Sequence, residues 1–289
     1  MKTSSRPFFR EPEHSTEQKA CGNLMSTPPP PTLRSQWGAG ETTLGLWSSS
    51  PCSITAETLS RAGADYVCID LQHGLVDYQA SVGMIQGILL GGSIPIARVP
   101  WNEPGIIGKV LDGGAQGIIV PMVNTVTECE SAVRATRYPP EGGRSFGPSA
   151  AAPRAAGSYF DAARAEVAVI PMIETAEALG NIDEILAVPG VDAIYVGPAD
   201  LSISLGLPPG NNDGAPEFDA ALDRIVAACA AAGVVPGIHS TGSLTPRRLA
   251  AGFRMVTVTA DLVAMRAGIA AELAKARSAE GGTGTDALY

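Results

Sequence analysis

Two carboxylates end apolar runs that follow one another along the chain: Glu174, after Pro171-Met172-Ile173, and Asp200, after Val196-Gly197-Pro198-Ala199. If those runs are adjacent parallel strands, their ends lie roughly 5 Å apart and both acids project into one mouth. Two hard oxygen donors with no cysteine beside them suit an oxygen-seeking divalent ion such as Mg or Mn, with water and substrate completing its coordination. Such an open site is what Lewis-acid catalysis uses. Spacing alone equally allows Glu174 to cap the following helix and Asp200 to cap a turn.

Other polar residues end runs in the same way. His73 follows Ile69-Asp70-Leu71-Gln72 and, at such a rim, reads as a proton carrier, although a single histidine also serves structure. Of the other two histidines, His14 lies in the N-terminal segment and His239 ends a further apolar run. Arg98 ends the run Ile94-Pro95-Ile96-Ala97; a permanent cation there calls for an anion or carbonyl dipole, or for a rim salt bridge with one of the acids. Trp47 ends the first run and would wall a small pocket or plug the interior. Asp112, beside Gly113-Gly114, reads as an ordinary helix-terminal acid. The turn Gly197-Pro198-Ala199-Asp200-Leu201-Ser202 could offer backbone N–H groups to a carboxylate or phosphate. Phosphate-loop, dinucleotide, serine-hydrolase and zincin motifs are absent from the sequence.

These residues need a scaffold. Candidate strands are Thr43 to Trp47, Tyr66 to Asp70, Ile94 to Val99, Gly117 to Val120, Val167 to Ile173, Ala193 to Val196, Val234 to Ile238 and Met255 to Thr259, eight in all. Amphipathic stretches follow them at Ile54 to Ala62, Tyr78 to Leu90, Gly105 to Asp112, Val126 to Thr136, Ala176 to Leu186, Glu217 to Ala232, Pro246 to Ala251 and Leu262 to Ala276. A doubly wound open sheet shares this alternation, but eight strand–helix units over about 245 residues match the α/β class as a single-domain (β/α)8 TIM barrel. The expected organisation is a disordered or weakly ordered extension over 1–41, the barrel over 42–277 and a flexible tail over 278–289. Met25 could be the true start. The segment from Arg137 to Phe160, rich in Pro, Gly and Ser, is too long for a plain connection and reads as functional or interfacial.

Composition narrows the partners. Across 289 residues, 20 Lys and Arg against 29 Asp and Glu give a formal charge of -9, which disfavours binding to a phosphate backbone. No apolar run reaches the roughly 18 residues of a membrane span. Five scattered cysteines, Cys21, Cys52, Cys68, Cys129 and Cys229, form no disulfide or zinc pattern and fit a reducing cytoplasm.

Taken in order, Gly45-Leu46-Trp47, Ile69-Asp70-Leu71-Gln72-His73-Gly74, Ala97-Arg98-Val99-Pro100, Val110-Leu111-Asp112-Gly113-Gly114-Ala115, Ile119-Val120-Pro121-Met122-Val123, Arg137-Tyr138-Pro139-Pro140, Met172-Ile173-Glu174-Thr175 and Val196-Gly197-Pro198-Ala199-Asp200-Leu201-Ser202 resemble the HpcH/HpaI aldolase family, the metal-dependent class II pyruvate aldolases. The resemblance covers roughly Thr42 to Lys275. It implies a barrel assembled as a hexamer of paired subunits, with Glu174 and Asp200 holding Mg, Mn or Co. It also implies Arg98 on the pyruvate carbonyl oxygen, His73 with Asp112 as the acid–base dyad, Trp47 at the pocket floor and backbone at Pro198, Ala199 and Asp200 around the pyruvate carboxylate. Arg144 resembles a residue of the loop that reaches a neighbouring subunit's site. Gln72 and Met172 depart from the Glu and Gln that some members carry there, and both change polarity near the metal.

The expected reaction is reversible cleavage of a 4-hydroxy-2-oxo acid into pyruvate, or a close 2-oxo acid, and an aldehyde. No lysine ends a strand, since Lys109 lies in a helical stretch, so a Schiff base is disfavoured. The alternatives are a citrate-lyase-type acyl-CoA lyase, which would need a basic channel for the coenzyme, and a non-catalytic barrel that binds a 2-oxo acid and needs no proton carrier.

Overall fold

A computed structural model describes residues 31–155 and 157–278. The expected N-terminal extension as far as residue 30, with His14, Cys21 and Met25, and the tail over 279–289 lie outside the described residues. Eight parallel strands close in sequence order into a barrel: β1 (Thr43–Ser48), β2 (Tyr66–Asp70), β3 (Ile94–Arg98), β4 (Gly117–Val120), β5 (Ala168–Ile173), β6 (Ala193–Val196), β7 (Val235–His239) and β8 (Met255–Ala260).

Helices α2 (Ser53–Arg61), α3 (Tyr78–Gly91), α4 (Pro104–Gly113) and α5 (Val126–Thr136) follow β1 to β4. The plain one-helix repeat then breaks down. Before β5 comes α6 (Tyr159–Glu166), which starts in the last two residues of the segment from Arg137 to Phe160 and fills the gap between it and the strand. The stretch after β5 splits at Asn181 into α7 (Ala176–Gly180) and α8 (Ile182–Leu186). β6 is followed by α9 (Pro198–Ser204) and α10 (Pro216–Ala232), β7 by α11 (Thr245–Ala250) and β8 by α12 (Asp261–Arg277).

Side chains alternate across each strand, so residues of one parity fill the lumen and the rest meet the helices. Trp47, Tyr66, Cys68, Ile96, Ile119, Ile170, Met172, Tyr195 and Met255 form the inner cluster. Val67, Ile69, Ala97, Ile118, Val169, Ile194, Ile238 and Val256 join the outer one. The lumen rows, continued upward by two residues, bring Asp70, Arg98, Glu174, Gly197 and His239 to the mouth at the strands' C-terminal ends. Parity therefore sets which polar residues share a site.

One expectation is corrected at the opposite end. Helix α1 (Leu33–Gly38) lies within the segment 1–41 expected to be an extension, yet Leu33 and Trp37, one turn apart, are buried with the lumen cluster. Thr32 and Ser35 form a reciprocal capping box, and Trp37 Nε1 donates to Thr43 Oγ1 at 3.1 Å. The short helix plugs the base of the barrel, and Pro31 onward belongs to the same compact unit as the strands.

At the other terminus, α12 lies exposed from Val263 onward, and Met265, Ile269 and Leu273 recur along it at four-residue spacing. Its first residue is nevertheless fixed. The buried Asp261 carboxylate accepts from Ser49 N and Ser50 N, both at 2.9 Å, and from Ser50 Oγ at 2.8 Å.

Gly45 packs against the Tyr66 ring so closely that a Cβ there would fall 2.1 Å from its carbons. Gly45→Ala should therefore lower stability by about 1–3 kcal/mol, as overpacking does. Denaturant unfolding checks this, and an unchanged midpoint at unchanged slope would show that Tyr66 can move aside.

Candidate active site

The barrel mouth holds a cavity of about 340 Å³ lined by Trp47, His73, Arg98, Met172, Tyr195, residues 197–200, Gly210, Asn211 and His239. Five residues expected at a site meet here: Trp47, Arg98, Pro198, Ala199 and Asp200; His73 joins them from the turn after β2.

Asp70 and Arg98 are register partners on β2 and β3. Arg98 donates Nε to Asp70 Oδ1 at 2.9 Å and Nη2 to Oδ2 at 2.7 Å, a two-pronged pair with both side chains largely buried. Burial alone would raise the Asp70 carboxyl, but the hydrogen bonds and charge of Arg98 hold it below the ordinary carboxylate value. Asp70 Oδ1 also accepts the backbone N–H groups of Gln72 and His73, at 3.1 and 3.2 Å, so the same acid shapes the turn that carries His73. The Arg98 guanidinium lies 5.0 Å from the Trp47 ring, Trp47 stacks on Tyr195 at 5.6 Å, and His239 meets Trp47 edge-on at 5.1 Å.

Glu174, just past β5, is buried. Its Oε1 accepts the Met122 N–H at 2.8 Å. Met122 holds φ at 54°, a left-handed value that side chains resist, and so keeps its amide on that oxygen. Oε2 lies where a Cβ on Gly197 would come within 2.4 Å, so glycine is what leaves room for this carboxyl. Burial, with Asp200 adding to it, raises the Glu174 carboxyl to about 7 against the opposing pull of the Met122 amide and Arg98. Asp200 lies in the first turn of α9 and is exposed to the mouth.

Among the described residues no group of three or more His, Cys, Asp or Glu side chains forms a metal cage. A buried carboxyl with one oxygen unengaged by hydrogen bonds, beside a second acid at an open mouth, nevertheless fits a divalent cation held by two protein ligands.

The remaining expectations fall elsewhere. Asp112 lies in the last turn of α4, five positions before the start of β4, and thus sits at the base of the barrel, opposite His73. Its Oδ1 accepts from Arg144 Nη2 at 2.7 Å. Arg144 is buried at 4.7 and 5.8 Å from the rings of Tyr138 and Tyr159. Within one chain the expected His73–Asp112 dyad is not assembled, and Arg144 does not reach the cavity. Met172 lines the cavity, whereas Gln72 Oε1 is buried without a hydrogen-bond partner.

Asp70, Tyr195 and His239 support or line the cavity, although their place at or beside a strand end does not by itself assign them a role. Strand parity was the available signal, because each continues a lumen row. His239 is held neutral, its pKa pushed down to about 4 by burial and by the charge of Arg98.

Comparison with known proteins follows this geometry. The family model described as HpcH/HpaI aldolase/citrate lyase matches residues 43–267. A hydroxypyruvate/pyruvate aldolase from Rhizorhabdus wittichii is 39% identical, over 85% of this chain and 98% of that protein. A 4-hydroxy-2-oxo-heptane-1,7-dioate aldolase from Salmonella dublin is 36% identical, over 87% and 96%. The crystal structure of a family protein from Burkholderia cenocepacia superimposes with a TM-score of 0.77 at 35% identity, covering 82% of this chain and 95% of that one.

Because the Glu174 carboxyl keeps its proton up to about 7, a cation must displace that proton to bind it. Affinity for Mg or Mn should rise about tenfold per pH unit below that value and level off above it, with roughly one proton released near pH 6. Calorimetric titration in buffers of different ionisation heat measures both. Glu174→Gln should abolish the proton release, and an affinity flat from pH 5.5 to 8 would contradict the assignment.

Proposed function

Since the chain belongs to the HpcH/HpaI aldolase/citrate lyase family, we propose that this cavity carries out its carbon–carbon bond chemistry with the residue roles set out below. The protein is an aldolase, a carbon–carbon lyase that reversibly cleaves a 4-hydroxy-2-oxo acid to pyruvate, or a close 2-oxo acid, and an aldehyde. The observation that carries the residue roles is the buried Glu174 carboxyl, faced by the Arg98 charge inside a cavity with a histidine at its rim.

Glu174 and Asp200 would hold the divalent cation, as Mg, Mn or Co, and the bound ion supplies Lewis acidity toward the 2-oxo acid. Backbone at Pro198 to Asp200 receives the substrate carboxylate. Arg98 spends Nε and Nη2 on Asp70, which leaves Nη1 for the substrate carbonyl oxygen. His73 takes the C4 hydroxyl proton as the C3–C4 bond breaks; the bonding pair moves to C3, and enolate charge develops on the oxygen facing Arg98. A proton delivered to C3 completes pyruvate, and the reverse order builds the bond. Trp47 forms the apolar wall beneath Arg98.

Asp112 orients His73 from a second subunit. The two residues lie at opposite ends of one barrel, and the Asp112–Arg144 pair stands on the face where loops serve stability and assembly. The apolar stripe Met265, Ile269 and Leu273 on exposed α12 supports the same reading. A homo-oligomer, hexameric by family resemblance, would bring one subunit's Asp112 and Arg144 to another's mouth.

Among the described residues no helix is long and apolar enough to cross a membrane. Cys52, Cys68, Cys129 and Cys229 are free thiols, which supports a reducing, cytoplasmic setting.

Pyruvate release from 4-hydroxy-2-oxo acids should be lost with EDTA and return with Mg, Mn or Co. It should fall at least about a hundredfold in His73→Ala, the usual worth of a positioned acid–base group; unchanged release in that variant would remove His73 from the role. Subunit mixing tests the shared dyad. Inactive His73→Ala and Asp112→Ala chains, refolded together, should regain activity because some mouths then combine an intact His73 with an intact Asp112. Mixtures as inactive as their parents would place the dyad within one chain or dissolve it.

A further inference from the structure

His239 is a half-buried imidazole at the end of β7, held neutral, and the mechanism above does not use it. Its ring lines the cavity beside Tyr195 and Trp47. Tyr195 and Thr257 belong to the lumen below the mouth, where the Tyr195 hydroxyl donates to Thr257 Oγ1 at 2.5 Å and Tyr66 Oη lies 2.9 Å from the same oxygen. With its one proton committed to Thr257, the Tyr195 phenol can only accept from His239 Nδ1, 3.3 Å away. The network thus assigns the ring proton to Nδ1 and leaves Nε2 as a lone-pair acceptor.

A neutral acceptor on this wall repels a carboxylate and leaves a methyl group without a partner. It suits a hydroxyl. In the reading proposed above, on which this inference rests, backbone at Pro198 to Asp200 takes C1 of the 2-oxo acid and Arg98 takes the C2 oxygen. The one carbon of a three-carbon donor still free to carry a substituent is C3.

We infer that His239 is a specificity-determining residue whose Nε2 accepts a hydrogen bond from a C3 hydroxyl, so that the site prefers 3-hydroxypyruvate to pyruvate as the enolate donor. Tyr195 is the positioning residue that sets the tautomer. One neutral hydrogen bond of this kind corresponds to about a tenfold preference.

The test needs no aldehyde. Enolisation exchanges C3 protons for deuterium in D2O, the proton leaving to solvent and a deuteron returning to the same carbon. Proton NMR gives kcat/KM for this exchange with hydroxypyruvate and with pyruvate in the Mg- or Mn-loaded full chain.

The ratio of the two, taken on one preparation, is independent of how much protein is correctly folded. His239→Leu should lower that ratio about tenfold relative to the parent chain. His239→Gln, which keeps an acceptor, should retain more of it, and Tyr195→Phe should lower it while the imidazole remains. A ratio within about twofold of the parent in His239→Leu overturns the assignment; if that variant exchanges neither donor, the same criterion applied to Tyr195→Phe decides. Metal-dependent exchange with neither donor in the parent chain overturns the aldolase roles themselves, and this inference with them.

Discussion

Asp70 and Arg98 close a two-pronged ion pair across β2 and β3, and the mouth of the barrel is arranged around it. The guanidinium could not stay in so sheltered a place without a partner, because a buried cation left alone loses its hydration with nothing in return. Once paired, it lies over the Trp47 ring, which also meets the Tyr195 and His239 rings. The carboxylate meanwhile turns the backbone at Gln72 and His73. A single pair therefore fixes both the guanidinium that lines the cavity and the turn that carries His73.

Glu174 poses the opposite problem. It is a buried acid that Arg98 does not hydrogen-bond, and the cost of ionising it appears as a carboxyl raised to about 7. Met122 accepts a left-handed backbone to keep one N–H on it, and Gly197 gives up a side chain to leave it room. Local strain and a missing Cβ both act on this one carboxyl. They keep a carboxyl oriented at the mouth, which is the pattern expected where function rather than stability sets the geometry, and in the proposed role that carboxyl would exchange its proton for a cation.

The barrel was legible because eight runs of strand-forming residues recur at the spacing of βα units, and their predicted limits agree with the observed strands to within one residue at each end. Helices without a long amphipathic period were not legible. Leu33–Gly38 offers a single turn of apolar spacing, and Tyr159–Glu166 follows a segment dominated by Pro, Gly and Ser. At the site, asking which polar residues end each strand found Arg98, Glu174 and Asp200, but it treated every strand end alike. Asp70 and His239 earn their positions by parity and by lateral register, and register between strands is a property of the closed barrel that no single stretch of sequence displays.

Parity and chain direction also set which residues one chain can bring to its own mouth. Every strand points the same way, so a residue three positions past the end of β2 and one five positions before the start of β4 must lie on opposite faces. His73 and Asp112 are such a pair. No loop rearrangement within a barrel can join them, since eight closed, packed strands stand between. What Asp112 has instead is Arg144, a guanidinium buried among tyrosine rings whose Nε and Nη1 have no hydrogen-bond partner among the described residues. Unsatisfied donors of a buried cation are costly, and an isolated barrel gains nothing from setting that cost at its base. In the proposed assembly, which would seat this face against a second subunit, the same donors and the Asp112 carboxylate would be the groups offered to the neighbouring mouth.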